Sequence, residues 1–163
     1  MSAIEQFLAN NDAYAAGFAA AGLAAPPAKK IAIVACMDAR LDPAGVLGIG
    51  LGDAHVIRNA GGVVTDDVIR SLAISQHYLG TEEIMLLHHT RCGMQSFSDE
   101  EFADALEHET GERPPWQART FEDLEEDVRD GIRRIRENPF IQRRDSVRGF
   151  VYEVETGRVR EVL

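Results

Sequence analysis

The stretch Ile31-Ala-Ile-Val-Ala-Cys36-Met-Asp38-Ala-Arg40 constrains the fold of this chain more than any other. Five apolar residues rich in β-branched types read as a fully buried strand. The strand ends on a thiol, an acid and a guanidinium at alternate positions, which gathers three reactive groups in one place. Leu41-Asp42-Pro43 then opens a short helix, with Asp42 as N-cap and Pro43 at the first helical position. The second cysteine, Cys92, follows another apolar run, Ile84 to Leu87, in the segment His88-His89-Thr90-Arg91-Cys92-Gly93. An H-x-x-C spacing joined to a distant Cys at the end of another strand makes Cys36, His89 and Cys92 a three-ligand zinc set of the catalytic kind.

Composition narrows the partners. The 163 residues suffice for one domain, 1–163, with a real core. A formal net charge of −10 argues against nucleic acid or an anionic membrane as main partner, because both are polyanions. The opening Met-Ser-Ala-Ile-Glu-Gln carries an acid and no basic leader, so a cytoplasmic location is expected. Two cysteines in such a setting do not make a disulfide framework. They could be inert buried thiols, but the Asp, Arg and His beside them favour metal chemistry.

Along the chain, residues 3–23 read as helical, with a break at Asn10-Asn11-Asp12 and Asp12 capping a second helix. Pro26-Pro27 ends this segment. Its apolar residues Ile4, Phe7, Leu8, Tyr14 and Phe18 could cover the chain's own sheet or a neighbouring subunit. Gly48-Ile-Gly-Leu-Gly52 lacks the context of a phosphate loop. A second strand, 55–58, leads into Asn59-Ala60-Gly61-Gly62, whose paired glycines permit positive φ or a close backbone approach. Thr65 or Asp66 then caps a helix that runs to Leu79 and stops at Gly80. A third strand covers 84–87 or 88. A helix is expected after Cys92-Gly93, then a polar, acidic excursion through Glu112. Thr120 and Asp123 read as a capping box for a helix from about Phe121 to Glu137, acids first and arginines last. A last strand, 147–154, turns at Glu155-Thr-Gly157 into a short partner, 158–162.

This order is that of an α/β protein with a mainly parallel central sheet, strand order 2-1-3-4, flanked by helices. The chain reverses between strands 1 and 3, and such folds place their sites at the carboxyl ends of strands at that switch point. Cys36 ends the first strand, and His89 and Cys92 follow the third. Two thiolates and an imidazole leave one corner of a zinc tetrahedron for water. The thiolates cancel the charge of the metal, so that water needs help to ionise near neutrality. Asp38 can accept a hydrogen bond there or become a fourth ligand, and Arg40 would keep it ionised and aimed.

Cys36-Met-Asp38-Ala-Arg40, Arg58-Asn-Ala-Gly-Gly62 and His88-His89-Thr-x-Cys92-Gly93 together resemble the β-class carbonic anhydrases, most of all the short bacterial and archaeal members. The resemblance is specific from about Ile31 to Gly93 and looser beyond. It implies zinc on Cys36, His89 and Cys92, with Asp38 and Arg40 as the catalytic dyad. It also implies reversible hydration of carbon dioxide to bicarbonate by a zinc-bound hydroxide, in a homodimer or homotetramer with the site near a subunit interface. Ala60, Gly61 and Gly62 would shape the substrate pocket. Some members carry a Trp three residues before the first Cys, associated with an inhibitory bicarbonate site; Ile33 stands there, and that regulation is not expected. Two other functions stay open on the same residues. One is hydrolysis of carbonyl sulfide or carbon disulfide. The other is a non-catalytic zinc or redox-sensing role with Asp38 as permanent fourth ligand.

Overall fold

The computed structural model describes all residues, 1–163. Five strands form one sheet in the order β2-β1-β3-β4-β5: β1 (Ile31–Cys36), β2 (Ala54–Asn59), β3 (Glu83–His89), β4 (Val147–Tyr152) and β5 (Val159–Val162). The first four are mutually parallel, and β5 runs antiparallel to β4 at the edge. The expected parallel core and its order are therefore present, with the short C-terminal partner added as β5. β1 is an interior strand, pairing Ala35 with Arg58 on one side and with Leu87 on the other. No helix is long and apolar enough to cross a membrane.

Alternation along buried strands splits the core into two layers. Ala32 and Val34 of β1 join Ile84 and Leu86 of β3 beneath α3 (Asp66–Leu79) and α5 (Leu124–Glu137), which contribute Leu72 and Ile135. On the opposite face Ile33, Ala35, Leu87, Val63, Met94 and Phe121 pack together, and Cys36 and Cys92 belong to this second layer. The site thus grows out of the top of an apolar layer. Two glycines let helix and sheet approach: a Cβ on Gly149 would collide with Val128 of α5, and one on Gly131 would lie 2.8 Å from Leu86.

Three helical expectations are corrected. Asn10-Asn11-Asp12 does not break the first helix, and α1 runs unbroken over Ala3–Ala16. Its start is fixed by a capping box between Ser2 and Glu5, and Gln6 donates to Asn10 one turn on at 3.2 Å. Each weak helix former costs only a few tenths of a kcal/mol, too little to stop a capped helix. The C-terminal helix begins at Leu124 because the Asp123 carboxylate takes the N–H groups of Glu125 and Glu126. Thr120 instead donates its N–H to Asp99, and Phe121 enters the core rather than a first turn. Between these, the acidic excursion is largely ordered as α4 (Asp99–Thr110), opened by a Ser98–Glu101 capping box. Only a 3-10 turn, Gly93–Gln95, directly follows Cys92. The Asp42 cap with Pro43 opens α2 (Pro43–Leu47) as expected.

Candidate metal centre

Cys36 closes β1, and His89 closes β3 beside it, so the two side chains project from adjacent carboxyl ends at the strand-order switch. Arg91 takes a left-handed conformation, φ 53°, which folds the chain back and returns Cys92 toward Cys36. One ligand atom each from Cys36, His89 and Cys92 then lies within 4.8 Å of the others, and all three residues are buried. The two sulfurs stand 4.0 Å apart. Two sulfurs each ~2.3 Å from a shared tetrahedral zinc would be about 3.8 Å apart, so the spacing suits such an ion.

The histidine fits the same group. Its Nδ1–H donates to the Thr90 carbonyl at 2.9 Å, which fixes the tautomer and leaves the Nε2 lone pair facing the sulfurs. That Nε2 is buried and has no hydrogen-bond partner. A buried acceptor left orphaned is costly unless something unrepresented by protein atoms satisfies it, and a cation does. The thiols already share charge. The Cys92 thiol, and then His89 and the Asp38 N–H, pull the Cys36 thiol down to about 4 against the cost of burial. Cys92 is pushed up by its bond to the Cys36 thiolate and by burial. Burial opposes a charge on His89, but the neighbouring thiolate outweighs it and the net direction is upward.

Asp38 lies beside the triad with Oδ2 3.6 Å from His89 Nε2. Arg40 grips it in a fork, Nε to Oδ1 at 2.9 Å and Nη2 to Oδ2 at 2.7 Å, while the Arg40 N–H also donates to Oδ1. This guanidinium holds the Asp38 carboxyl far below the usual carboxylate range. Arg40 further donates to the Arg91 carbonyl at 3.0 Å, tying the loop after β1 to the loop after β3. On the rim Arg91 pairs with Glu155, whose carboxyl also accepts from Thr90.

A cleft of about 610 Å³ opens over Cys36, Asp38 and Cys92. Ala60 and Gly61 line it, together with Met37, Met94, Phe97, Phe102 and Trp116. Gly62, expected on that wall, lies behind it. At φ +70° its Cα faces β1, and a Cβ would sit 2.8 Å from the Cys36 nitrogen. The aromatic side of the cleft had no motif to announce it, since Phe97 just before α4, Phe102 within it and Trp116 in the loop after it meet only in the fold. Two further roles escape sequence reasoning, although Arg58 opens one of the motifs quoted above. Asp127 of α5 receives a 2.7 Å bond from buried His88, which faces away from the cleft as a packed residue. Arg58 reaches from β2 to the carbonyls of Cys36, Asp38 and Leu41 at 3.0, 2.9 and 2.7 Å. Carbonyl recognition leaves no mark in sequence spacing.

A mainly parallel sheet flanked by helices, with a buried Cys-His-Cys triad and an Asp–Arg pair at its switch point, defines the class. The carbonic anhydrase family model matches residues 31–159, and the chain belongs to that family. It is 59% identical to β-carbonic anhydrase 1 of Mycobacterium tuberculosis over 162 residues, covering 99% of each chain. The solved carbonic anhydrase of Streptococcus mutans superposes with a TM-score of 0.94 at 46% identity, covering 100% of this chain and 99% of that one. A carbon disulfide hydrolase of Acidithiobacillus thiooxidans is 34% identical over 156 residues, 83% of this chain and 78% of its own.

Proposed function

We propose that this chain is a zinc-dependent β-carbonic anhydrase that reversibly hydrates carbon dioxide to bicarbonate, with residues 1–163 working as one domain. Cys36, His89 and Cys92 would hold the metal, and Asp38 with Arg40 would form the dyad that orients the attacking water. The observation that carries this reading is the orphaned His89 Nε2, aimed at two sulfurs and bordered by an arginine-clamped carboxylate. A bound zinc ion supplies the electrostatic pull that makes water a nucleophile near neutral pH.

The residues do the rest. Met37, Ala60, Gly61, Met94 and Phe97 offer an apolar wall to a nonpolar gas. Asp38, fixed by two bonds from Arg40, accepts a hydrogen bond from the attacking water and turns its lone pair toward the carbon. Oxygen adds to carbon, one proton leaves to buffer, and bicarbonate departs past the exposed guanidinium of Arg40. The His89 tautomer is held through Thr90, itself anchored to β4 by a 2.9 Å bond to the Tyr152 carbonyl.

Stopped-flow hydration on the zinc-replete protein tests this. Activity that rises from mildly acidic to alkaline pH is expected. No activity at any pH with stoichiometric zinc bound would overturn it. A second reading, hydrolysis of carbon disulfide or carbonyl sulfide on the same residues, gains support from the relatives named carbon disulfide hydrolases and from an apolar cleft roomier than a triatomic gas needs. Turnover of the sulfur substrates in place of carbon dioxide would favour it. The chain is further proposed to act in the cytoplasm, and to act as a homo-oligomer because α1 carries exposed Ile4, Phe7 and Leu8 and buries nothing within its own subunit.

A further inference from the structure

Arg58 is the one arginine near the centre that spends its N–H groups wholly on backbone. Its Nε donates to the Cys36 carbonyl at 3.0 Å, and its Nη2 donates to the carbonyls of Asp38 at 2.9 Å and Leu41 at 2.7 Å. It pairs with no carboxylate, although the chain carries 27 acids against 17 lysines and arginines. Register explains the reach: Arg58 lies opposite Ala35, one residue before the site loop begins. Next to it, the Asn59 carbonyl accepts the Met37 N–H at 2.8 Å.

Together these bonds fix the loop from outside. The peptide plane after Cys36 is held at both edges, its carbonyl by Arg58 and its Met37 N–H by the Asn59 carbonyl, and the plane after Asp38 is held by Arg58 as well. The Cys36 thiol and the Asp38 carboxylate stay free for chemistry. A guanidinium is suited to this because its planar fork presents several donors at set angles, whereas an ammonium is a single point.

We propose that Arg58 is the positioning residue of the metal centre, a clamp on three carbonyls that sets Cys36 and Asp38 relative to His89 and Cys92. The proposal rests on the zinc reading above, but it is read by metal release, which needs no turnover. Losing a residue that holds a metal ligand in place from behind typically weakens metal affinity or activity by roughly 10–100-fold.

The experiment follows transfer of zinc from the holoprotein to a chromophoric chelator in wild type, Arg58→Lys and Arg58→Ala. Val128→Ala, a buried core change on α5, supplies a control. Both Arg58 variants should keep their secondary structure and release zinc about 10–100-fold faster than wild type. Added methylguanidinium should slow release from Arg58→Ala, and kcat should fall more than KM rises. Val128→Ala should release zinc at the wild-type rate even if it melts at a lower temperature than the Arg58 variants. Release within twofold of wild type in Arg58→Ala, wild-type behaviour of Arg58→Lys, or equally fast release from the control would each overturn the clamp. So would failure of both Arg58 variants to fold while the control folds, which would assign Arg58 to the sheet alone. A wild-type protein that takes up no zinc would instead sink the metal reading itself.

Discussion

Asp38 owes its ionised state to Arg40. The fork of two bonds holds its carboxyl far below the ordinary range. A carboxyl lowered on folding adds stability above its unfolded value and loses it only as pH falls through the folded one. Across neutral pH Asp38 is therefore a fixed acceptor, and the pH dependence of turnover must originate elsewhere. Replacing Asp38 with Asn should cut carbon dioxide hydration by roughly 10–100-fold with zinc content and the midpoint of the pH profile unchanged. Stopped flow and metal analysis on one preparation check both; loss of zinc along with turnover would make Asp38 a ligand instead. Gly62 answers to sterics rather than charge. Its φ of +70° disfavours any side chain, and its Cα faces the Cys36 nitrogen. Gly62→Ala should destabilise the fold by about 1–3 kcal/mol from backbone conformation alone, read by denaturant unfolding. The displaced β1 end should also loosen zinc.

Elements are joined at the surface by ion pairs that respond to acid together. Glu82 receives Lys30 ahead of β1 and Arg143 ahead of β4, and Glu161 of β5 receives a two-bonded Arg148 of β4. Lys30 holds the Glu82 carboxyl below its ordinary 4.5, and Arg148 does the same for Glu161. Both pairs support the fold above that value and lose it as pH falls below. The melting temperature should stay nearly level around neutrality and drop once pH passes below about 4.5; a drop beginning near pH 6 would show that these pairs do not set the acid limit. How far these elements could be foreseen differs along the chain. β1, β3 and α3 were legible because buried strands and capped amphipathic helices carry their own period and punctuation. The unbroken α1 was not, since Asn10-Asn11-Asp12 looks like a break until the Ser2 cap and the Gln6–Asn10 bond are weighed. α4 was hard to see because none of its residues is buried, and its apolar side is only the half-buried Phe102, Ala103 and Leu106 among acids. The clustering of Cys36, His89 and Cys92 was legible from residue type and strand ends, while Arg58 and the aromatic wall of the cleft depend on contacts between segments far apart in sequence.

As a whole, the molecule leaves the apolar side of its first helix open to solvent. α1 has no buried residue, and Ile4, Phe7 and Leu8 are 71%, 68% and 63% exposed, with Tyr14, Phe18 and Leu23 also open. A 14-residue helix is marginal in water by itself, since most helical stability in proteins comes from packing an apolar face. An exposed run of this size is also uncommon on a monomer. A second copy of the chain would supply the missing cover and the symmetric burial that holds most homo-oligomers together. The wild-type protein should therefore sediment as a dimer or tetramer at micromolar concentration. The double variant Phe7→Glu with Leu8→Glu should shift it toward monomer and lower its melting temperature. That melting temperature should rise with protein concentration in wild type more steeply than in the variant, because association stabilises by mass action. Sedimentation equilibrium separates the outcomes. A wild type that stays monomeric across the accessible range would mean that the apolar face of α1 meets some other surface, while an oligomer unmoved by the two glutamates would place the interface on another face of the sheet or its helices.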